Sequence, residues 1–236
     1  MVRKLKRLLA PDFWKIAKKE ATWVVSPRPG PHKKFECIPL LIIVRNILGY
    51  AETGKEAKAI IKRGEIWVDG KPRKDHAYPA GLFDVISIPK VGEHYRISAS
   101  KKGLKLIKID EKEAKVKICK IRNKTVVKKG KIQLNLHDGK NILIEKDKDK
   151  FKTGDSVLIS LPDLKIKKHL PLEKGFLVLV IKGKNAGKIG KVLDVIPGKF
   201  NIKPKVIVEI EGKKGEVLKE YIYVIGKEKP EIKVIE

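Results

Sequence analysis

Residues 182–192 read KGKNAGKIGKV, four lysines and three glycines in eleven residues between two apolar runs. Two chemistries use such a composition: a loop that grips the phosphates of a nucleotide substrate, and a turn that rests on the backbone of a nucleic acid. The first needs GxxxxGK followed by Ser or Thr, whose hydroxyl holds Mg²⁺, and then a helix whose N-terminus faces the phosphate. Here the stretch from Gly183 to Gly187 is one residue too short, Ile189 stands where the hydroxyl belongs, and KIGKVLDVI alternates like a strand. What remains is a lysine-rich β-turn whose glycines allow positive φ and leave no side chain to block a sugar-phosphate backbone. Lys182, Lys184, Asn185, Lys188 and Lys191 are its candidate contacts.

A second basic cluster lies in TGKEAKAIIKRG, residues 53–64. On a helix, Lys55, Lys58, Lys62 and Arg63 share one broad face while Ala57, Ile60 and Ile61 point elsewhere. Arg45 on a preceding helix, and Lys71 and Arg73 beyond a following hairpin, extend the stripe; Glu52, Glu56 and Glu65 dilute it. The N-terminal region adds Arg3, Lys4, Lys6, Arg7, Arg28, His32, Lys33 and Lys34. Catalysis has little to stand on: His32, His76, His94, His137 and His169 are scattered, without HExxH or a nucleophile elbow. Cys37 and Cys119 have no zinc-site spacing and read as small core residues. No catalytic residue, metal, cofactor or small-molecule substrate is expected. With 6% aromatic residues there is no base-stacking platform of the kind a single-strand binder uses.

The charge balance points the same way. Lys and Arg total 55 against 28 Asp and Glu in 236 residues, a formal net charge of +27, and a chain so charged repels itself unless a polyanion neutralises it. A membrane surface is the other polyanion, but the longest apolar stretch, Ile38 to Val44 with Pro39 inside it, falls far below the roughly 18 residues of a span. The basic start MVRKLKRLLAPDFW is broken too soon for a secretory signal. Nucleic acid is therefore the expected partner and the cytoplasm the expected compartment. Few stacking groups and many lysines suit structured RNA read by shape and backbone.

These residues need elements to hold them. Residues 1–36 form a basic arm with one short helical candidate, Asp12 to Glu20, and then SPRPGPHKK, whose prolines favour an extended path that orders on a partner. Two short helices follow, PLLIIVRNILG ending on Gly49, and a second with capping-box spacing at Thr53 and Glu56 and a terminal Gly64. EIWVDGKPR gives a hairpin with an Asp-Gly turn, and FDVISIP a further strand. Residues 95–160 alternate as a β-meander, DLKIKKHLP reads as a lysine-rich linker, and FLVLVI, KIGKVLDVI, KVIVEI and EVLKEYIYVI supply a small barrel. The fold class is α+β, mostly β, with domains at 1–36, 37–92, 93–170 and 171–236.

The block GPHKKFECIPLLIIVRNILGYAETGKEAKAIIKRGEIWVDGKPRKDHAYPAGLFDVISIPK, residues 30–90, closely resembles the central part of the archaeal and eukaryotic small-subunit ribosomal protein family S4e. Within it, residues from about 37 to 90 look like the RNA-binding domain shared with bacterial ribosomal protein S4, and GKNAGKIGKV resembles a KOW motif of SH3-like barrels. The order of arm, S4-like domain, β-rich middle and KOW barrel matches the family over essentially the whole chain. The resemblance implies a non-catalytic component of the 30S subunit that contacts small-subunit ribosomal RNA and neighbouring ribosomal proteins. It places the S4-like RNA face at Lys55, Lys58, Lys62, Arg63, Lys71 and Arg73, and the KOW contacts at 182–191. S4 domains often open their second helix with Ser-Arg, whereas TGK stands at 53–55, so Lys55 replaces a guanidinium fork. The chain ends soon after the barrel, which favours an archaeal form. The rival readings are a transient KOW-bearing translation or transcription factor and an accessory protein of RNA modification.

Overall fold

The computed structural model describes residues 5–127 and 130–235 and divides the chain into two compact units. The first runs to Ser98 and includes Leu104–Lys115; the second takes Ala99–Gly103 and everything from Val116.

In the first unit, β1 (Leu5–Lys6) pairs antiparallel with β2 (Trp23–Val24). The helix expected over 12–20 is a single 3-10 turn, Asp12–Trp14, because Lys15 adopts a left-handed conformation with φ 51°. Trp14 is wholly buried, and its indole N–H donates to the Cys37 carbonyl at 2.8 Å. Where the sequence suggests an arm awaiting a partner, Leu5, Ala10 and Trp14 instead join the core of this unit. The proline-rich stretch anchors itself through the Arg28 N–H, which donates to Ala77 O at 3.0 Å.

Next come β3 (Cys37–Pro39), α1 (Leu40–Ile42) and a π-helical turn, Ile43–Ile47. Residues 40–44 are all buried and residues 45–48 half-buried, so only the C-terminal end of this helix meets solvent, and Gly49 ends it at φ +72°. The second helix, α2 (Gly54–Lys62), begins as its sequence demands: Thr53 Oγ1 accepts from Glu56 N at 3.2 Å while the Glu56 carboxylate reaches back to the Thr53 N–H. Ala57 and Ile61 face the core. Gly64 closes the helix at φ +77°.

β4 (Trp67–Val68) and β5 (Lys71–Pro72) flank Asp69 and Gly70, both left-handed at φ 52° and 71°, as a tight Asp-Gly hairpin turn requires. β6 (Pro79–Gly81) pairs with β3, and β7 (Val85–Ile88), β8 (Glu93–Ser100) and β9 (Gly103–Ile109) complete a sheet of order β5-β4-β7-β8-β9. A one-turn helix, α3 (Glu111–Ala114), places Glu113 on the buried Arg96 at 3.0 Å.

The second unit contains two five-stranded antiparallel sheets. The first is built around β10 (Val116–Val126), with β11 (Ile132–Leu136), β12 (Asn141–Ile144), β13 (Ser156–Ser160) and β14 (Ile166–Leu170) in the order β12-β11-β10-β13-β14. The expected linker DLKIKKHLP is thus an edge strand, paired to β13 from Ile166 to Leu170. Its lysines hid it, because an edge strand needs few apolar residues and tolerates many charges. The second sheet comprises β15 (Leu177–Val180), β16 (Ile189–Ile196), β17 (Lys205–Ile210), β18 (Lys213–Leu218) and β19 (Ile222–Gly226), ordered β18-β17-β16-β15-β19, the strand set expected of the barrel.

Two lysines of β10 are taken out of water. Lys117 Nζ meets Asp138 Oδ2 at 2.8 Å with side chains 0% and 1% exposed, and Lys140 adds a second ammonium at 3.2 Å. Burial opposes the Asp138 charge, but Lys117, His137 and Lys140 outweigh it and hold the carboxyl well below the usual carboxylate range. Replacing Asp138 by Asn strands the Lys117 cation in the core and should cost about 3–5 kcal/mol in urea unfolding, whereas the pair Lys117→Met/Asp138→Leu should recover most of it. A loss under about 1 kcal/mol for the single change would mean that other groups around Lys117 carry its charge without Asp138. Thr53→Ala removes one capping bond and should cost about 1 kcal/mol by the same assay; an unchanged midpoint would place the helix start elsewhere.

Candidate nucleic-acid interface

The glycine-lysine loop joins β15 to β16, a strand-to-strand turn with no helix behind it. The Gly187 N–H donates to Val180 O at 2.7 Å, the Val180 N–H to Lys188 O at 3.1 Å, and the Ala186 N–H to Gly183 O at 3.1 Å. The two left-handed glycines do different work. Gly183, at φ +94°, has open space where a Cβ would be. At Gly187, φ +82°, a Cβ would lie 2.8 Å from Ser100 Cα and 3.0 Å from Lys101 N. The space freed at 187 is filled by the protein's own backbone, and Gly190 likewise lets Glu209 O and Ile210 come within 2.9 Å of a would-be Cβ. Only Gly183 fits the expectation of a glycine left bare for a phosphate.

The loop's five candidates differ in the same way. Lys184 and Lys191 are exposed and make no ion pair among the described residues. Lys188 is paired with Glu211 at 2.6 Å, which neutralises it. Lys182 lies over the Tyr221 ring at 5.8 Å, a restraint on its stem that leaves the side chain exposed. Asn185 is half-buried and its carbonyl accepts the Lys188 N–H.

In the first unit, Lys55, Lys58 and Lys62 are exposed along α2 with no ion pair among the described residues. Glu56, which seemed to dilute them, is turned to the helix start by its capping bonds. Glu65 is shared by Arg63 at 3.1 Å and Lys90 at 2.7 Å, so its single charge offsets only part of these two cations. Arg28 bonds Asp75 at 3.3 Å and stays largely exposed. His76 was missed by sequence reasoning, having no motif around it. Burial first, then the Lys58 cation, lower its pKa, with Asp75, 3.8 Å away, opposing them and Arg28 and Lys62 adding smaller effects in the same downward direction. The arm and α2 therefore share a patch, linked through Asp75 and His76.

Other candidates turn inward or are held. Arg7 is a staple, not a contact: its side chain is 8% exposed and bonds Glu20 Oε2 at 2.7 Å and the Ala17 carbonyl. His32, 6% exposed, bonds Asp84 Oδ2 at 3.0 Å, and the same oxygen accepts the Gly81 N–H at 2.9 Å. Charge alone makes both candidate phosphate contacts, but both side chains are turned into the fold against acidic partners. Arg73 stacks on Tyr78 at 4.6 Å, and Arg45 donates to Asn46 Oδ1 at 3.0 Å, each half-buried. Lys6, Lys33 and Lys71 are exposed, Lys34 half-buried near the Phe35 ring; Arg3 and Lys4 lie outside the described residues.

Two buried thiols close the survey of reactive groups. Burial, then Asp84 and Glu36, push the Cys37 thiol up to about 12, so it is inert. Cys119, His137 and Asp138 bring potential ligand atoms within 4.8 Å of one another, a cluster invisible in sequence. The Lys117 ammonium, 2.8 Å from Asp138, already supplies positive charge there.

Comparison with known proteins yields successive matches along the chain. The RS4NT (NUC023) domain profile matches residues 1–35, the S4 domain 38–86, Ribosomal family S4e 91–166, and the KOW motif 174–211. "Small ribosomal subunit protein eS4" of Staphylothermus marinus is 47% identical, covering 98% of this chain and 95% of the relative. Its namesake in Methanocaldococcus jannaschii is 44% identical, covering 98% and 97%. The crystal structure of the 30S ribosomal protein S4e from Thermoplasma acidophilum superimposes with a TM-score of 0.70 at 27% identity, covering 85% of this chain and 99% of that one. With arm, S4 domain, central sheet and KOW barrel in that order and near-full-length relatives on both measures, this chain belongs to the ribosomal protein family S4e.

Proposed function

We propose that this protein is a structural, non-catalytic component of the small (30S) ribosomal subunit, holding ribosomal RNA through phosphate contacts at several separate places. The observation that carries the reading is how charge is distributed. Several acidic side chains are engaged, Glu20 with the inward-turned Arg7, and Glu65 and Glu211 with the surface cations Arg63 and Lys188. Lys55, Lys58 and Lys62 on α2, and Lys184 and Lys191 at the barrel loop, are left to a polyanion. The arm, the α2 region and the barrel loop are then separate grips on one RNA, each raising the effective concentration of the next. Ribosomal RNA and adjoining ribosomal proteins are its partners, and the ribosome, in the cytoplasm, its place of work.

The test is occupancy. Small subunits washed in high salt should retain one copy each, with lysine crosslinks to a few ribosomal RNA sites from α2 and the 182–191 loop. A chain found mostly off the subunits, or crosslinked to messenger or transfer RNA, would replace this reading by a transient factor. The individual contacts have their own readout. Lys184→Ala and Lys191→Ala should each flatten the salt dependence of ribosomal RNA binding by roughly 0.7 to 0.9 in logarithmic slope, while Arg7→Ala lowers stability and leaves the slope alone. Equal slopes in all three variants would take the loop out of the interface.

A further inference from the structure

We infer that the connection between β16 and β17 is a preformed finger whose tip, Phe200, stacks on an unpaired base of the RNA. This rests on the reading above that the partner is ribosomal RNA, and adds a base contact to a surface otherwise described by phosphate contacts.

Phe200 is 100% exposed. An exposed apolar side chain alone means little, but this one is mounted on a closed turn. Lys199 N donates to Ile202 O at 3.1 Å and Ile202 N to Lys199 O at 2.9 Å, so Phe200 and Asn201 are the two central residues of a miniature hairpin. Its base is closed by Gly198, where a Cβ would stand 2.8 Å from Ile202 O and 3.0 Å from Pro204 Cδ. Pro197 and Pro204 fix the backbone on either side. Turn centres are normally Gly, Asn, Asp or Pro; here one central place holds a large ring that touches nothing of its own fold. Ordering a loop to display an aromatic group lowers the entropy lost when a partner covers it.

Charge selects the occupant. Residues 195–208 contain Lys199, Lys203 and Lys205 and no acidic residue. Glu216 and Glu220 reach Lys205 and Lys203 at 2.8 and 3.4 Å, while Lys199, beside the ring, has no ion pair among the described residues. An apolar pocket on a protein would bury Phe200 but would have to desolvate that ammonium. An unpaired nucleotide offers a π-face to the ring, a base edge to the Asn201 amide and a phosphate to Lys199 at once. Composition could not reveal this, since one ring at a turn apex does not alter an aromatic content of 6%.

The test uses the full chain in two settings. With p-benzoylphenylalanine at position 200, irradiation of washed small subunits should give a crosslink to one ribosomal RNA nucleotide in a single-stranded segment. A crosslink to a protein, to duplex RNA, or to nothing, in subunits that do contain the chain, would overturn the finger while leaving the proposed function intact. Absence of the chain from the washed subunits, seen before irradiation, would overturn both. For binding to purified small-subunit ribosomal RNA, Phe200→Ala should weaken affinity about 10-fold with an unchanged salt slope, and Phe200→Trp should restore it. Wild-type affinity in Phe200→Leu would overturn stacking, because leucine keeps the apolar volume without the π-face.

Discussion

Lys120 Nζ is held by three backbone carbonyls, Lys219 O at 2.6 Å, Ile222 O at 2.8 Å and Glu220 O at 3.3 Å, and lies 5.1 Å from the Tyr223 ring. Burial, then the Lys219 and Arg122 cations, draw its pKa down to about 7, while the carbonyl dipoles favour the protonated form. Through this side chain β10 is tied to the turn between β18 and β19, about one hundred residues further along. β10 pairs with β13 along its first half and β11 along its second, with an irregularity between Ile121 and Asn123. A slip of one residue would point Lys117 and Lys120 at the wrong neighbours. The Val224 N–H, donating to Ser156 Oγ at 3.1 Å, ties β19 to β13 in the same way. The two sheets of the second unit are thus registered by buried polar groups whose partners are specific, where apolar packing alone would tolerate sliding.

Against that background the excess charge has a structural logic. A chain at +27 has few acidic groups to place. Asp138, Asp84, Glu20 and Glu113 are each matched to a basic side chain of low exposure. Surface lysines then divide into those paired with surface carboxylates, such as Lys108, Lys168 and Lys174, and those with no ion pair among the described residues, such as Lys55, Lys58, Lys62, Lys184 and Lys191. The cationic face of α2 persists because Glu56 is drawn to the helix terminus and Glu65 to Arg63 and Lys90. The interface and the core are in this sense two outcomes of one allocation of acidic residues.

Local patterns were legible in the sequence because local physics decides them. The capping box at Thr53 and Glu56, the left-handed Gly64, the Asp69-Gly70 turn and the alternating strands all formed as their spacing required. What stayed hidden depends on residues far apart. His32 and Asp84 are separated by 52 positions, and Trp14 reaches Cys37 across 23. Nothing in the arm's composition tells Arg7, turned inward, from Lys6, turned out. Gly187 was visible as a required glycine, but not its reason: it makes room for the backbone at Ser100 and Lys101. The strand at 166–170 was lost because lysine content is a poor guide where only one edge of the strand is paired.

That edge strand also bears on the protein's life before it meets its partner. β14 carries Lys167 and Lys168 exposed along the rim of its sheet. Lys168 is paired with Glu231 at 2.6 Å, while Lys167 makes no ion pair among the described residues, so two copies approaching rim to rim would set one Lys167 ammonium against the other. Lysine thus serves twice in this chain: at Lys167 it discourages edge-to-edge pairing of two copies, and elsewhere on the surface it supplies the charge that a polyanion neutralises.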